Sequence, residues 1–194
     1  MITILSTKYP LQNAINQTRI QDTPSLELCK IHRYFGNLLG MEILGLQPLI
    51  MQEKVLTTGK RENIAYYDDS QFVIIGILRA GLYIAEGIRA IFPNAMYILA
   101  KTAEDIPQDI MQNTSHKKII LADSVVNSGK TIMEFLQKIP SSNTLYLATN
   151  VLYEPTQYKL LQKYALHIVT IRISTHSYVG QAQSDTGNRL FCIV

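Results

Sequence analysis

The chain has 194 residues, enough for one well-buried domain, and its 47% hydrophobic and 17% charged content excludes a disordered protein. The formal charge is only +3, with basic residues scattered apart from pairs such as Lys60-Arg61 and Lys117-Lys118. That balance suits a small anionic substrate and gives no nucleic-acid footprint, and the low charge fits a large subunit interface and a large core equally well.

The first segment, MITILSTKYPLQ, lacks the basic start and long apolar core of a signal peptide. No later stretch reaches the roughly 18 apolar residues that a bilayer span needs. Cys29 and Cys192 are far apart and have no metal-ligand spacing, as free thiols in a reducing compartment would. The expectation is a single cytoplasmic domain over 1–194 that engages neither membrane nor nucleic acid. The first clear helix starts at Thr23 as N-cap with Pro24 in the first turn, and Leu28, Ile31, Phe35 and Leu38 form its apolar face. His32 lies in this helix as a surface or satisfied structural histidine, with no ligand set around it.

Beyond it the pattern alternates. Apolar strands are expected over 71–78, 95–100, 117–122, 144–153 and 167–173, with helices over 81–92, 129–139 and 156–165. Strands apolar on both faces and separated by helices of about ten residues indicate a mostly parallel sheet covered on two sides. Ligands of such sheets sit beyond the carboxyl ends of the strands, which directs attention to the loops at 78–81, 101–116, 123–131 and 174–189.

The loop DSVVNSGKT (123–131) follows the apolar run Ile119 to Ala122. Asp123 is expected at the strand end, since an unpaired buried carboxylate is costly. Asn127, Ser128 and Gly129 precede a helix whose first N–H groups and dipole attract an anion. Gly129-Lys130-Thr131 matches the end of a nucleotide P-loop, but Ser124 stands where its first glycine belongs. A monophosphate loop, with Asp123 on sugar hydroxyls, explains the carboxylate as well. A plain strand–turn–helix with a capping serine remains the third reading of this segment alone.

Residues 123–131 resemble the phosphoribosyl diphosphate loop of the type I phosphoribosyltransferases, with Ser128-Gly129-Lys130-Thr131 in place of TGxT. ILRAG (77–81) stands as the uracil phosphoribosyltransferase family writes it, and SDTGNRLF (184–191) resembles that family's GDAGDRLF. Tyr178-Val179 resemble its tyrosine–isoleucine start, and TRIQDT (18–23), Phe35, Leu38-Leu39 and Glu42 are similar to its opening helix. The resemblance runs from about residue 10 to the end and implies a type I phosphoribosyltransferase-like α/β fold, with a small base-binding hood formed largely by C-terminal segments.

The implied reaction moves the phosphoribosyl group of phosphoribosyl diphosphate onto uracil, giving UMP in pyrimidine salvage, without a covalent nucleophile. By resemblance, Arg79 contacts the diphosphate, Asp123 holds the ribose 2- and 3-hydroxyls, and Asp185 stands near the diphosphate and its Mg²⁺ as the one metal-associated residue. Val126, Asn127, Ser128, Gly129, Lys130 and Thr131 would surround the 5-phosphate. Lys101 takes the place of an arginine in a segment over the diphosphate, followed by Glu104 and Asp105. Tyr178, Val179, Gly180 and Ser184 belong to the segment that reads the base. Gly81 suits either close backbone approach or a helix start, and Arg189 suits a pairing with Asp185 or a neighbouring carboxylate. The resemblance also implies a homo-oligomer, with a dimer favoured.

The chain departs from the family at three places. YVGQAQS (178–184) replaces a form near YIVPGLG, Lys101 replaces the arginine fork, and Asn188 replaces the second aspartate of GDAGD. Transfer to another base, and a weak or inactive phosphoribosyltransferase fold that binds a phosphorylated sugar or nucleotide, are therefore the alternatives. A kinase rests only on Gly129-Lys130-Thr131.

Overall fold

The computed structural model of the protein describes residues 1–108, 110, 116–178, 180 and 184–193. Its centre is a six-stranded parallel sheet, built from strands that span the sequence from β1 (Ile2–Ile4) to β8 (Leu166–Ser174). Between them come β4 (Phe72–Ile77), β5 (Met96–Ala100), β6 (Lys118–Val126) and β7 (Thr144–Tyr153), in the spatial order β1-β8-β7-β6-β4-β5. Every residue of β4 is buried, which is why its run FVIIGI shows no polar alternation.

Helices cover both faces. On one, α2 (Ser25–Gly45) and α3 (Leu82–Ile91) bring Phe35, Ile84 and Ile88 against Ile74, Ile120 and Val169 of the sheet. On the other, α4 (Lys130–Lys138) and α5 (Glu154–Lys163) bring Phe135 and Leu160 against Ile75, Leu121 and Leu147. The expected apolar face of α2 is the buried one, since Leu28, Ile31, Phe35 and Leu38 all lie inside. The capping differs by one residue. Pro24 is the N-cap, and the Thr23 hydroxyl instead donates to the Gln17 carbonyl at 2.8 Å, closing the turn after α1 (Gln12–Arg19).

Five elements carry little periodic signal and fall outside the sequence-based expectation. They are β1, α1, the short α6 (Thr186–Phe191) and the two strands of an antiparallel hairpin, β2 (Leu49–Val55) and β3 (Arg61–Tyr67). The hairpin is exposed along almost its whole length, so it follows neither the buried-strand nor the half-buried pattern. β6 also runs four residues past the expected end at 122, so Asp123 lies within the strand and pairs in register with Thr149 of β7. The carboxyl ends of β4, β5, β6 and β8 open on one edge of the sheet, where the expected loops gather.

Candidate active site

Gly81 shows how tightly this edge is packed. A Cβ there would lie 2.4 Å from the Ala122 carbonyl and 2.5 Å from that of Ile77, so only glycine lets the start of α3 pass beside β6. The turn ahead of it contains a cis Leu78–Arg79 peptide bond.

A cavity of about 390 Å³ opens over this edge. Asp123, Arg79, Lys101 and Thr131 line it together with Asn127 and Asp185. The Asp123 residue keeps some exposure, but its carboxyl group is enclosed. Desolvation pushes its pKa up to about 7, against the opposing effect of backbone N–H groups of Ser124 and Val125. The Ser124 N–H donates to Asp123 Oδ1 at 2.7 Å. A carboxyl group at this depth gains most from a ligand that donates hydrogen bonds to it, as a diol does.

His32 supports this floor from α2. Its Nδ1 lies 2.7 Å from the Leu28 carbonyl, which can only accept, so Nδ1 carries the proton. Nε2 then accepts from the Ser124 hydroxyl at 2.8 Å. Burial pushes the His32 pKa down to about 4 and keeps the ring neutral. His32 is thus a satisfied structural histidine, one residue away from the key carboxylate.

The phosphate-loop residues take distinct positions. Gly129 has φ +71° and caps α4, and a Cβ there would meet Thr156 Cγ2 at 2.7 Å, so both conformation and space demand glycine. Thr156 fixes the turn by donating its hydroxyl to the Asn127 carbonyl. Ser128 and Lys130 are exposed, while the Val126 side chain is buried in the core below α4 and α5, so it shapes the loop from beneath. The Asn127 amide engages Tyr178. Its Oδ1 accepts from the Tyr178 N–H at 2.9 Å and its Nδ2 donates to the Tyr178 carbonyl. This two-point clamp joins the phosphate loop to the segment expected to read the base.

Arg79 reaches across to α6. Its Nη2 donates to Asn188 Oδ1 at 2.7 Å and lies 4.0 Å from Asp185 Oδ1. Asp185 is the N-cap of α6 and accepts from the Asn188 N–H at 2.9 Å. The asparagine that departs from GDAGD therefore holds the arginine fork. Lys101 lines the same cavity. The acids after it hold the local turn: Asp105 accepts from the N–H groups of Lys101 and Thr102, both at 2.8 Å, and Glu104 pairs with Lys138 at 2.8 Å. Among the described residues no group of three metal-ligating side chains forms.

A second compartment, of about 470 Å³, adjoins the first, and Val125, Tyr178 and Thr186 line both. Ser184 lines the second and Gly180 the first, while Val179 and 181–183 lie outside the described residues. Arg189 does not meet a carboxylate among the described residues. It donates to the carbonyls of Thr18 at 2.8 Å and Ile20 at 2.5 Å, bracing α6 against the end of α1. Arg19, Arg172 and Asn150 also face this space, and the sequence reading did not single them out. A partial signal was there for one of them: Arg172 is the one residue with a permanent charge in the strand LHIVTIRIS.

A curated uracil phosphoribosyltransferase from Aquifex aeolicus is 25% identical, over 98% of each chain, and one from Clostridioides difficile is 24% identical over 98% of this chain and 99% of its own. A solved structure of an Aquifex aeolicus protein superposes with a TM-score of 0.83 at 23% identity, covering 100% of this chain and 99% of that one, and so shares the fold. The sequence model of uracil phosphoribosyltransferase matches residues 5–192, and on that match the chain belongs to the uracil phosphoribosyltransferase family.

Proposed function

We propose that the protein transfers the phosphoribosyl group of 5-phospho-α-D-ribose 1-diphosphate to uracil, giving UMP and diphosphate. The observation that carries this reading is one cavity combining an enclosed carboxyl group, the first turn of a helix and a guanidinium: Asp123, Thr131 of α4, and Arg79. Asp123 accepts from the ribose 2- and 3-hydroxyls. Backbone N–H groups at 128–131 hold the 5-phosphate, where the helix dipole favours the anion. Arg79 and Lys101 hold the diphosphate. Uracil N1 supplies the electron pair for the new bond to C1, the C1–O bond breaks, and diphosphate leaves with that bond's electrons as the N1 proton is lost. Positioning of the two partners and stabilisation of separating charge supply the rate.

Magnesium belongs to the proposal. One carboxylate beside a diphosphate suits an ion that keeps several waters and binds mainly through substrate phosphates, with Asp185 as its protein neighbour. Bound there, Mg²⁺ would neutralise diphosphate charge. The proposal extends to a cytoplasmic enzyme, where the free thiols Cys29 and Cys192 stay reduced, and to a homodimer. The exposed Leu49, Met51, Val55 and Tyr67 of the hairpin support self-association, which sedimentation of the purified protein measures directly. No helix among the described residues is long and apolar enough to cross a membrane.

The test is nucleotide formation from phosphoribosyl diphosphate and Mg²⁺ with each common nucleobase in turn. Uracil-dependent UMP, reduced about 10²-fold or more in Arg79→Ala by loss of charge-assisted contacts, is expected. Tight binding of phosphoribosyl diphosphate with no product from any base would replace transfer with a binding role.

A further inference from the structure

The compartment beside the phosphoribosyl cavity carries charge that uracil does not use. Arg172, on β8, and Arg19, at the end of α1, both line it. Neither side chain has a hydrogen-bond or ion-pair partner among the described residues, and the Arg172 Nε is buried without one. No carboxylate lines the compartment among the described residues, while Arg189 and His176 add further basic groups. Burial, and then the Arg19 charge, work against the Arg172 cation. Two like charges brought together at a half-buried wall are unfavourable until an anion sits between them.

A second observation points to a ligand in the same place. Asn150, on β7, is 2% exposed, and its Oδ1 is buried with no hydrogen-bond partner among the described residues. It lines the compartment beside the arginines. A buried amide group without a partner costs stability, so a polar ring edge that meets it would recover that loss. The space is also continuous with the phosphoribosyl cavity through Val125, Tyr178 and Thr186. A ligand here lies on the acceptor side of the transfer.

We propose that this compartment receives an acceptor base that bears a carboxylate, with Arg172 and Arg19 pairing to the anion and Asn150 meeting the ring. The inference rests on the phosphoribosyl-transfer reading and extends its acceptor class from uracil to a pyrimidine that bears a carboxylate. The bond changes are the same: a ring nitrogen bonds to C1, the C1–O bond breaks, diphosphate keeps that electron pair, and the ring N–H proton is lost. The carboxylate takes no part in them and serves recognition.

The test measures kcat/KM for uracil, uracil-5-carboxylate and uracil-6-carboxylate, using the full chain with phosphoribosyl diphosphate and Mg²⁺. One carboxylated base should exceed uracil by at least about tenfold, the worth of a charge-assisted hydrogen bond. The carboxylate-to-uracil ratio should fall by about tenfold or more in Arg172→Gln and by less in the exposed Arg19→Gln, which also serves if the first variant folds poorly. Turnover of uracil with both carboxylated bases ignored overturns the inference and leaves the transfer reading standing. No turnover with any base fails the transfer reading. Equilibrium dialysis of the carboxylated bases against the protein holding phosphoribosyl diphosphate then decides the inference: binding weakened by Arg172→Gln supports the anion site, and no binding overturns it. Retention of a nucleoside triphosphate that Arg172→Gln abolishes, with the carboxylated bases unbound, also overturns it by giving the arginines to a phosphorylated ligand.

Discussion

The two halves of the proposed site, one for the phosphoribosyl group and one for the acceptor, are built in opposite ways. The phosphoribosyl half comes largely from two short stretches, 77–81 and 123–131, each set by a strand end and the helix that follows it. Its key features are backbone features: the left-handed Gly129, the free N–H groups of α4 and the tight pass at Gly81. The acceptor half is assembled from the end of α1, α2, β7, β8 and the segment before α6, and is defined by side chains. The first kind of site is held by the fold, whereas the second can change its ligand through single substitutions. The family's phosphate features persist here while its base segment has been rewritten.

Asp123 gives the largest expected effect. Asp123→Asn should lower kcat/KM for phosphoribosyl diphosphate by about 10²-fold or more, because two hydroxyl contacts to a charged acceptor are weakened at once. Stability should move the other way. The folded pKa of about 7 lies above the ordinary carboxylate value, so the unfolded chain releases this proton first, and wild-type stability declines as pH rises from about 4 to about 7. The always neutral asparagine lacks that decline. The ligand-free variant should therefore melt higher than wild type at pH 8 and similarly at pH 4. A variant that melts lower at pH 8 would show that Asp123 contributes to the fold rather than costing it.

His32 has the opposite sign. Its folded pKa of about 4 lies below the ordinary histidine value near 6.5, so the unfolded chain takes up the proton first as pH falls. The stabilisation is present above about pH 6.5 and is lost toward pH 4, by an amount on the order of 3 kcal/mol. Denaturant titrations in the Asp123→Asn background, which removes the opposing slope, should show this loss in the His32 protein and not in a His32→Gln variant. Equal slopes would mean that the ring is charged or solvated in the fold.

Gly129→Ala should follow, at about 2 kcal/mol, from a left-handed Cβ and its clash with Thr156. Thermal melting reads it, and full stability would show that the loop can relax. Asn127→Ala tests the seam between the halves. Removing its clamp on Tyr178 should raise KM for both substrates by about tenfold, through one lost two-point contact, with little change in melting. A change confined to phosphoribosyl diphosphate would return Asn127 to the phosphate loop alone.

What could be read from the sequence follows the same division. The buried strands announce themselves as short continuous apolar runs and their helices by an apolar period of three to four residues, and Gly129-Lys130-Thr131 and ILRAG are contiguous. β1 is only three residues long, and the hairpin buries neither face, so neither leaves a periodic trace. Asn127 sits inside the recognised loop, but its bond to Tyr178 spans 51 positions and has no local signature. The same holds for the His32–Ser124 bond and for the placing of Arg19 and Arg172 on one compartment. Composition placed the chemistry, and topology chose which side chains share it.

The smallest expected effect separates the halves most cleanly. Ser128 and Lys130 are the most polar members of the phosphate loop, and both are exposed. Neither hydrogen-bonds strongly within the loop: Ser128 Oγ is 3.4 Å from the Lys130 N–H, near the limit of a hydrogen bond. If the phosphate half works through its backbone, Ser128→Ala and Lys130→Ala leave every relevant N–H and the Gly129 conformation in place. Each should then change KM for phosphoribosyl diphosphate by less than about threefold, within the range of ordinary surface substitutions. The contrast is with Arg172→Gln on the proposed acceptor side, where side chains would carry the recognition. A tenfold loss in either loop variant would mean that the phosphate is held by side chains too, and the distinction between a backbone-built half and a side-chain-built half would fail.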